Sequence, residues 1–113
     1  ASLVGSEMCI RDRLDIERVK AIREAMPKDC RVVMHGGSGV DADQVRAAIN
    51  EGVSKVNYYS YMAKACSKHM YEYLKDRDGN AYWHEADEEA YRFMKEYAKE
   101  VLAVFKNGKT CTL

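Results

Sequence analysis

Apolar side chains recur every three or four residues in four stretches of the chain, and this spacing predicts four amphipathic helices. The first begins near Asp15, a residue type that caps helices, and ends at Pro27. The second spans about 42–51, with an apolar stripe made by Val45, Ala48 and Ile49. The third spans Tyr61 to Lys75 and the fourth about Ala86 to Lys106. The fourth helix has the clearest stripe, made by Ala90, Phe93, Tyr97, Val101 and Val104.

Two short runs between these helices predict β-strands. Arg31 to Met34 is largely apolar and is followed by glycines, and Lys55 to Tyr59 follows the second helix. Because a whole helix separates them, the two strands are expected to be parallel neighbours in a β-α-β unit. Before the second helix, Asp41 to Gln44 loosely matches a capping box. Two parallel strands alone would leave long unpaired edges, so the pattern indicates part of a larger α/β fold.

The composition is that of an ordinary globular chain. Of 113 residues, 47% are hydrophobic and 32% are charged, and 18 basic residues balance 18 acidic ones. Neither nucleic acid nor an anionic membrane is expected as a partner, since both attract an excess of positive charge. The four cysteines form no CxxC pair and no apolar run approaches the roughly 20 residues of a membrane span, which favours a reduced, cytoplasmic setting.

Residues 1–13 differ from the rest of the chain. They have neither helical nor strand periodicity, and the run from Glu7 to Arg13 resembles the translation of a transposase-end sequencing adapter. We therefore expect a non-native leader here, and the alternative is a natural, poorly ordered extension.

The segment after the first strand, His35-Gly36-Gly37-Ser38-Gly39, has the composition of an anion-binding loop. Glycine lacks Cβ, so its backbone can approach a ligand closely, and successive N–H groups can converge on a phosphate. Ser38 adds a hydroxyl donor, and the helix beginning near Asp41 adds the positive end of its dipole. His35, at the carboxyl end of the strand, fits a metal ligand, a general base or a structural histidine.

The second strand also ends in polar residues, in the stretch Asn57-Tyr58-Tyr59-Ser60. In (β/α)₈ barrels the active site lies at the carboxyl ends of the strands, and the loops after the last two strands frequently bind phosphate. If these are the seventh and eighth strands, Gly36 to Ser38 and Asn57 to Ser60 would bind one phosphate together.

Three segments resemble, in order and spacing, the C-terminal signature of the class II, metal-dependent fructose-bisphosphate or ketose-bisphosphate aldolases. They are Val33 to Val40 with its His-Gly-Gly-Ser-Gly core, the helical pair Ala48-Ile49, and Gly52 to Asn57. The resemblance extends from about Leu14 to Ala65. It implies that residues 14–113 are the C-terminal portion of a TIM barrel, the (β/α)₈ fold of that family.

The same resemblance implies a site and a reaction. His35 would be one of three histidines that hold the catalytic divalent ion, usually Zn²⁺, with a monovalent cation nearby. The phosphate of dihydroxyacetone phosphate would bind to Gly36, Gly37 and Ser38, Asn57 would reach substrate oxygens, and Tyr58, Tyr59 and Ser60 would complete the pocket. The metal would polarise the ketone and stabilise the enediolate, while a carboxylate on an upstream strand moves the proton. The implied reaction is a lyase step of glycolysis, the reversible cleavage of fructose 1,6-bisphosphate to dihydroxyacetone phosphate and glyceraldehyde 3-phosphate.

Tyr59 departs from the family pattern, which commonly has Asp or Asn two places after the asparagine. A phenol there would either reshape the substrate pocket or pack into the barrel wall. His69 on the third helix and His84 in the last loop are expected to be structural or surface residues. The cluster Tyr82-Trp83-His84 is expected to pack at the last helix.

With one metal histidine and no acid/base residue, the chain is expected to be inactive by itself and the full-length protein active. The alternatives are a tagatose-bisphosphate aldolase and a barrel that binds a phosphorylated ligand without aldolase chemistry. The expected partner is a small sugar phosphate. The full-length protein is expected to be a homo-oligomer, and the apolar stripe of the last helix fits either the barrel wall or a subunit interface.

Overall fold

A computed structural model describes residues 13–108 of the chain. The leader expected in residues 1–13 thus falls outside the described residues, apart from Arg13. Every helix and strand predicted from the apolar pattern is present, in the order α1 (Ile16–Ala25), β1 (Val32–Met34), α2 (Ala42–Asn50), β2 (Val53–Val56), α3 (Ser60–Lys75) and α4 (Trp83–Lys106). The chain divides into two compact units, one reaching Tyr58 and including the segment from Val104, the other running from Tyr59 to Ala103. No helix within residues 13–108 has the length and apolarity needed to cross a membrane.

The two strands pair in parallel, as predicted. Val32 lies beside Val53 and, after an irregularity in the register, Met34 lies beside Val56. The expected extension of β2 to Tyr59 is wrong, because the strand ends at Val56 and Tyr59 is already the N-cap of α3. One ladder hydrogen bond continues past the strand, from the Asn57 N–H to the Met34 carbonyl at 2.9 Å.

The core of the first unit lies between α2 and the sheet. Val45, Ala48 and Val53 are buried, and the first two belong to the stripe predicted for α2. The connection from α1 to β1 is held by Arg23, whose guanidinium donates to the carbonyls of three residues within 3.4 Å. These are Pro27, Lys28 and Cys30.

The start of α2 is not the capping box that the sequence suggested. Asp41 does cap the helix, accepting from the N–H of Asp43 at 2.9 Å. Gln44, which would have to accept from the Asp41 N–H in a capping box, instead accepts from the Leu14 N–H at 2.6 Å. The Gln44 side-chain oxygen therefore binds the segment before α1 and not the N-terminus of α2.

The second unit consists of α3 and most of α4. His69 on α3 lies 2.8 Å from a carboxylate oxygen of Glu89 on α4, and its ring stacks on Phe93 with centroids 4.4 Å apart. The Cys66 thiol, on the same face of α3, lies 4.0 Å from the Ala90 carbonyl. His69 and Cys66 thus have structural roles in the helix pair.

Two expectations for the start of α4 are wrong. The helix begins at Trp83, so His84 lies in its first turn and not in a loop. Tyr82 and Trp83 are 73% and 83% exposed, so the expected packing is absent from the described part of the chain. The early start has a local cause, because the Glu85 carboxylate accepts from the Tyr82 N–H at 3.1 Å, as the acidic residue of a capping box does.

Candidate functional site

The parallel register of the sheet brings His35 and Asn57 together. Met34 and Val56 are partners, so the next residue of each strand lies side by side at the carboxyl edge. The carboxamide nitrogen Nδ2 of Asn57 lies 3.0 Å from Nδ1 of the His35 ring. His35 is exposed and Asn57 is half-buried. The edge therefore presents an imidazole whose orientation is set by a neighbouring amide.

The glycine loop turns directly over the end of β2. Gly36 and Gly39 have positive φ, 71° and 100°, a conformation that side chains with Cβ rarely adopt. Gly37 is buried, and a Cβ there would lie 2.6 Å from Cγ1 of Val56 and 3.3 Å from the Asn57 carbonyl. Gly37 thus lets the loop lie close against the strand that carries Asn57. The backbone of the loop is exposed at Gly36 and Gly39, with Ser38 half-buried between them.

The two helices that follow these strands in the chain differ in charge at their starts. At α2 the Asp41 carboxylate caps the first turn, and Asp43 lies one residue inside the helix. The dipole end that the sequence offered to a phosphate is therefore already capped by the Asp41 carboxylate. At α3 the cap residue Tyr59 makes no side-chain cap, and the first turn contains no acidic residue. A helix start of that kind is the better anion site.

The remaining predicted residues fall on either side of the division between the units. Tyr58 belongs to the first unit, where its ring meets Phe105 edge-on with centroids 6.2 Å apart. Tyr59 and Ser60 belong to the second unit and are exposed, Tyr59 by 69%. The described residues therefore leave the Tyr59 phenol largely exposed.

The chain offers a single imidazole to a metal ion at this edge. Among residues 13–108 no three histidine, cysteine, aspartate or glutamate side chains are grouped closely enough to hold one. The other two histidines described are engaged elsewhere, His69 with Glu89 and His84 with the ring of Tyr82 at 5.7 Å. An exposed histidine at a strand end suits a zinc ligand chemically, so His35 fits as one donor of a set whose other members are not among these residues.

Sequence reasoning missed the direct contact between Asn57 and His35. Both residues were placed at strand ends, but Asn57 was assigned to substrate oxygens alone. The strand register could have revealed the contact. Met34 comes directly before His35 and Val56 directly before Asn57, so pairing the two apolar residues would have placed the two polar ones side by side.

Gly36 and Gly79 provide a matched test of the loop. Their φ values are 71° and 73°, and a Cβ at either would meet no described atom within 4 Å. Alanine at either position should therefore lower the free energy of unfolding by a similar amount, about 1–2 kcal/mol, from backbone strain alone. Only Gly36→Ala is expected to raise the KM for a sugar bisphosphate in the full-length protein. Urea denaturation and substrate titration of both variants check this, and equal KM values would contradict a phosphate role for the loop.

Two comparisons with known proteins, one with family models and one with individual proteins, point to the same family. The family model described as fructose-bisphosphate aldolase class-II matches residues 5–109. The chain is similar to the fructose-bisphosphate aldolase of Streptococcus pneumoniae serotype 4, with 34% identity over 67 residues, which cover 59% of this chain and 22% of that protein. It is also 33% identical, over the same extent, to the fructose-bisphosphate aldolase of Streptococcus pyogenes serotype M1. The match therefore spans about a fifth of the length of these relatives.

Proposed function

Since the chain belongs to the class II fructose-bisphosphate aldolase family, we propose that it supplies one metal ligand and the phosphate-binding loop of an aldolase site. The reaction is the reversible cleavage of a ketose 1,6-bisphosphate to dihydroxyacetone phosphate and glyceraldehyde 3-phosphate. Fructose 1,6-bisphosphate is the favoured substrate, and Zn²⁺ the favoured ion. The family is generally metal-dependent, and its fold would make β1 and β2 the last two strands of a TIM barrel.

One observation carries this proposal. The carboxyl edge of the sheet joins an exposed imidazole, a neighbouring carboxamide at 3.0 Å and a glycine loop with two positive-φ residues. Each of the three has a distinct use at a sugar-phosphate site. The imidazole can bind a metal, the carboxamide can orient it or reach a substrate oxygen, and the loop can surround a phosphate.

The loop and the strand end would share the work of holding the substrate. The exposed backbone of Gly36 to Gly39, with the hydroxyl of Ser38, would donate to the oxygens of the substrate's phosphate. His35 would help hold a divalent ion which, when bound, supplies the Lewis acid for the ketone carbonyl. Asn57 would reach a substrate oxygen. The residue that moves the proton would come from upstream of residue 13, together with the other metal ligands.

The roles proposed for Tyr58, Tyr59 and Ser60 follow from the family resemblance. The exposure of Tyr59 favours the first of its two expected roles, a reshaped substrate pocket, and a tagatose-bisphosphate aldolase is the alternative that such a pocket would allow. We further propose a cytoplasmic enzyme that acts as a homo-oligomer, with a monovalent cation near the metal.

The test compares the 113-residue chain with the full-length protein in a cleavage assay, each with and without a chelator. We expect cleavage by the full-length protein, its loss on chelation and its recovery with added zinc. The isolated chain should show no cleavage under any condition, because one histidine does not hold a catalytic ion as three do. Chelator-resistant cleavage would refute the metal-dependent mechanism. Phosphorylated-ligand binding without cleavage would instead identify the non-aldolase alternative.

A further inference from the structure

We infer that Asn57 is a positioning residue that binds Nδ1 of His35 and thereby leaves Nε2 as the ring nitrogen available to a divalent ion. The inference rests on the proposed function only in taking His35 as a metal ligand. It goes beyond the role of Asn57 that the family resemblance implies, which is contact with substrate oxygens.

The backbone fixes Asn57 beside the ring. Its N–H donates to the Met34 carbonyl at 2.9 Å, which continues the β ladder one residue beyond β2. On its other side, the Asn57 carbonyl faces the buried Gly37, where a Cβ would approach it to 3.3 Å. The ladder hydrogen bond thus fixes the backbone of Asn57, and the loop lies close to its other side. Its carboxamide reaches His35 from a fixed point, and this is what a positioning residue requires.

The hydrogen bond decides which nitrogen is free. As the structure shows it, Asn57 Nδ2 faces His35 Nδ1, so Nδ1 accepts a hydrogen bond from the amide and, in a neutral ring, the ring proton is on Nε2. A neutral ring in that state has no lone pair left for a metal. Turning the carboxamide by half a turn puts Oδ1 at the same place, where it accepts from a protonated Nδ1 and frees the lone pair of Nε2. Metal-binding histidines usually donate their second ring N–H to an oxygen acceptor in this way.

An asparagine suits this position because its carboxamide can serve both states. Nδ2 satisfies Nδ1 when no ion is bound, and Oδ1 satisfies the Nδ1–H when one is. An aspartate in its place would accept only and would hold the ring permanently in the metal-binding tautomer. A leucine of similar size would hold neither tautomer. The substitutions Asn57→Asp and Asn57→Leu therefore distinguish a residue that positions the His35 ring from one that only fills space.

The experiment uses nitrogen-resolved NMR of the histidine side chains at alkaline pH, in the full-length protein, without metal and with zinc. In the native sequence we expect the His35 proton on Nε2 without metal and on Nδ1 with zinc. In the Asn57→Asp variant, the His35 proton should be on Nδ1 both without metal and with zinc. Zinc affinity, measured by competition with a chelator, should fall about 10- to 100-fold in Asn57→Leu and be retained in Asn57→Asp. Asn80→Leu, at an exposed asparagine in the turn after α3, is the matched control and should match the native protein.

Three results would overturn the inference. The first is a metal-free Asn57→Asp variant whose His35 tautomer is the same as in the metal-free native protein. The second is an unchanged zinc affinity in Asn57→Leu, and the third is a tighter zinc affinity in that variant. The last would show that Asn57 competes with the ion for Nδ1. The tautomer of Asn57→Asp is measured without metal or substrate, so it tests Asn57 even if cleavage activity is absent. Conversely, metal-dependent cleavage with a tautomer independent of Asn57 would leave the proposed function intact and refute the positioning role.

Discussion

Replacing His35 with alanine in the full-length protein is expected to abolish metal-dependent cleavage. The substitution removes a proposed ligand, so the loss of kcat should exceed the 10- to 100-fold that loss of a ligand's supporting partner typically costs. Zinc content after dialysis should fall in parallel, because the remaining donors would hold the ion less tightly. A cleavage assay and metal analysis of the same preparation measure both effects.

His84→Ala is the control for this substitution. His84 is exposed, stacks on Tyr82 and lies in the second unit, so its removal should leave both cleavage and zinc content unchanged. If the native protein contains no metal and His35→Ala still binds sugar phosphate as tightly as before, the barrel that binds a phosphorylated ligand without aldolase chemistry becomes the better account.

Gly37→Ala is expected to destabilise the first unit through a steric clash and not through backbone strain. The added methyl would lie 2.6 Å from Cγ1 of Val56, the last residue of β2, which is closer than real side chains approach. Overpacking of this kind should lower the free energy of unfolding by about 1–3 kcal/mol. The midpoint of urea denaturation measures it. Cleavage by the full-length protein should also fall, since the loop would be pushed away from Asn57.

A double mutant separates this clash from other effects. Val56→Ala removes the Cγ1 atom that the new methyl would meet, so Gly37→Ala should cost less in that background than in the native one. A coupling energy between about 0.5 and 3 kcal/mol is expected for residues in such contact. Strictly additive costs would mean that Gly37 is required for a reason other than its approach to Val56.

The helices and the strand pairing could be predicted because their causes are local. The apolar stripe of α2 predicted its burial, with Val45 and Ala48 in the core, and the helix between the strands required a parallel crossover. The sequence also placed His35 at the end of β1 and Asn57 at the end of the second strand. The contact between them was missed because the second strand was expected to run on to Tyr59, which hid the register that pairs Met34 with Val56.

The errors also have physical causes. The end of β2 was placed too late because Tyr58 and Tyr59 have high strand propensity, whereas the chain leaves the sheet at Asn57 to begin α3. The start of α4 was placed too late because its aromatic residues looked like core. Glu85 starts the helix there regardless of whether those rings are covered. In both cases a helix start decided the boundary, and side-chain hydrophobicity did not.

The capping of α4 by Glu85 and the pairing of His35 with Asn57 imply different times of formation during folding. The first closes over three residues, whereas the second joins residues 22 apart and requires the whole β-α-β crossover to be in place. Contacts between distant residues form later, because the entropy of the closing loop must be lost before they stabilise the chain. The site at the strand edge is therefore a late product of folding. We expect the helix start at Glu85 to form before the contact between His35 and Asn57.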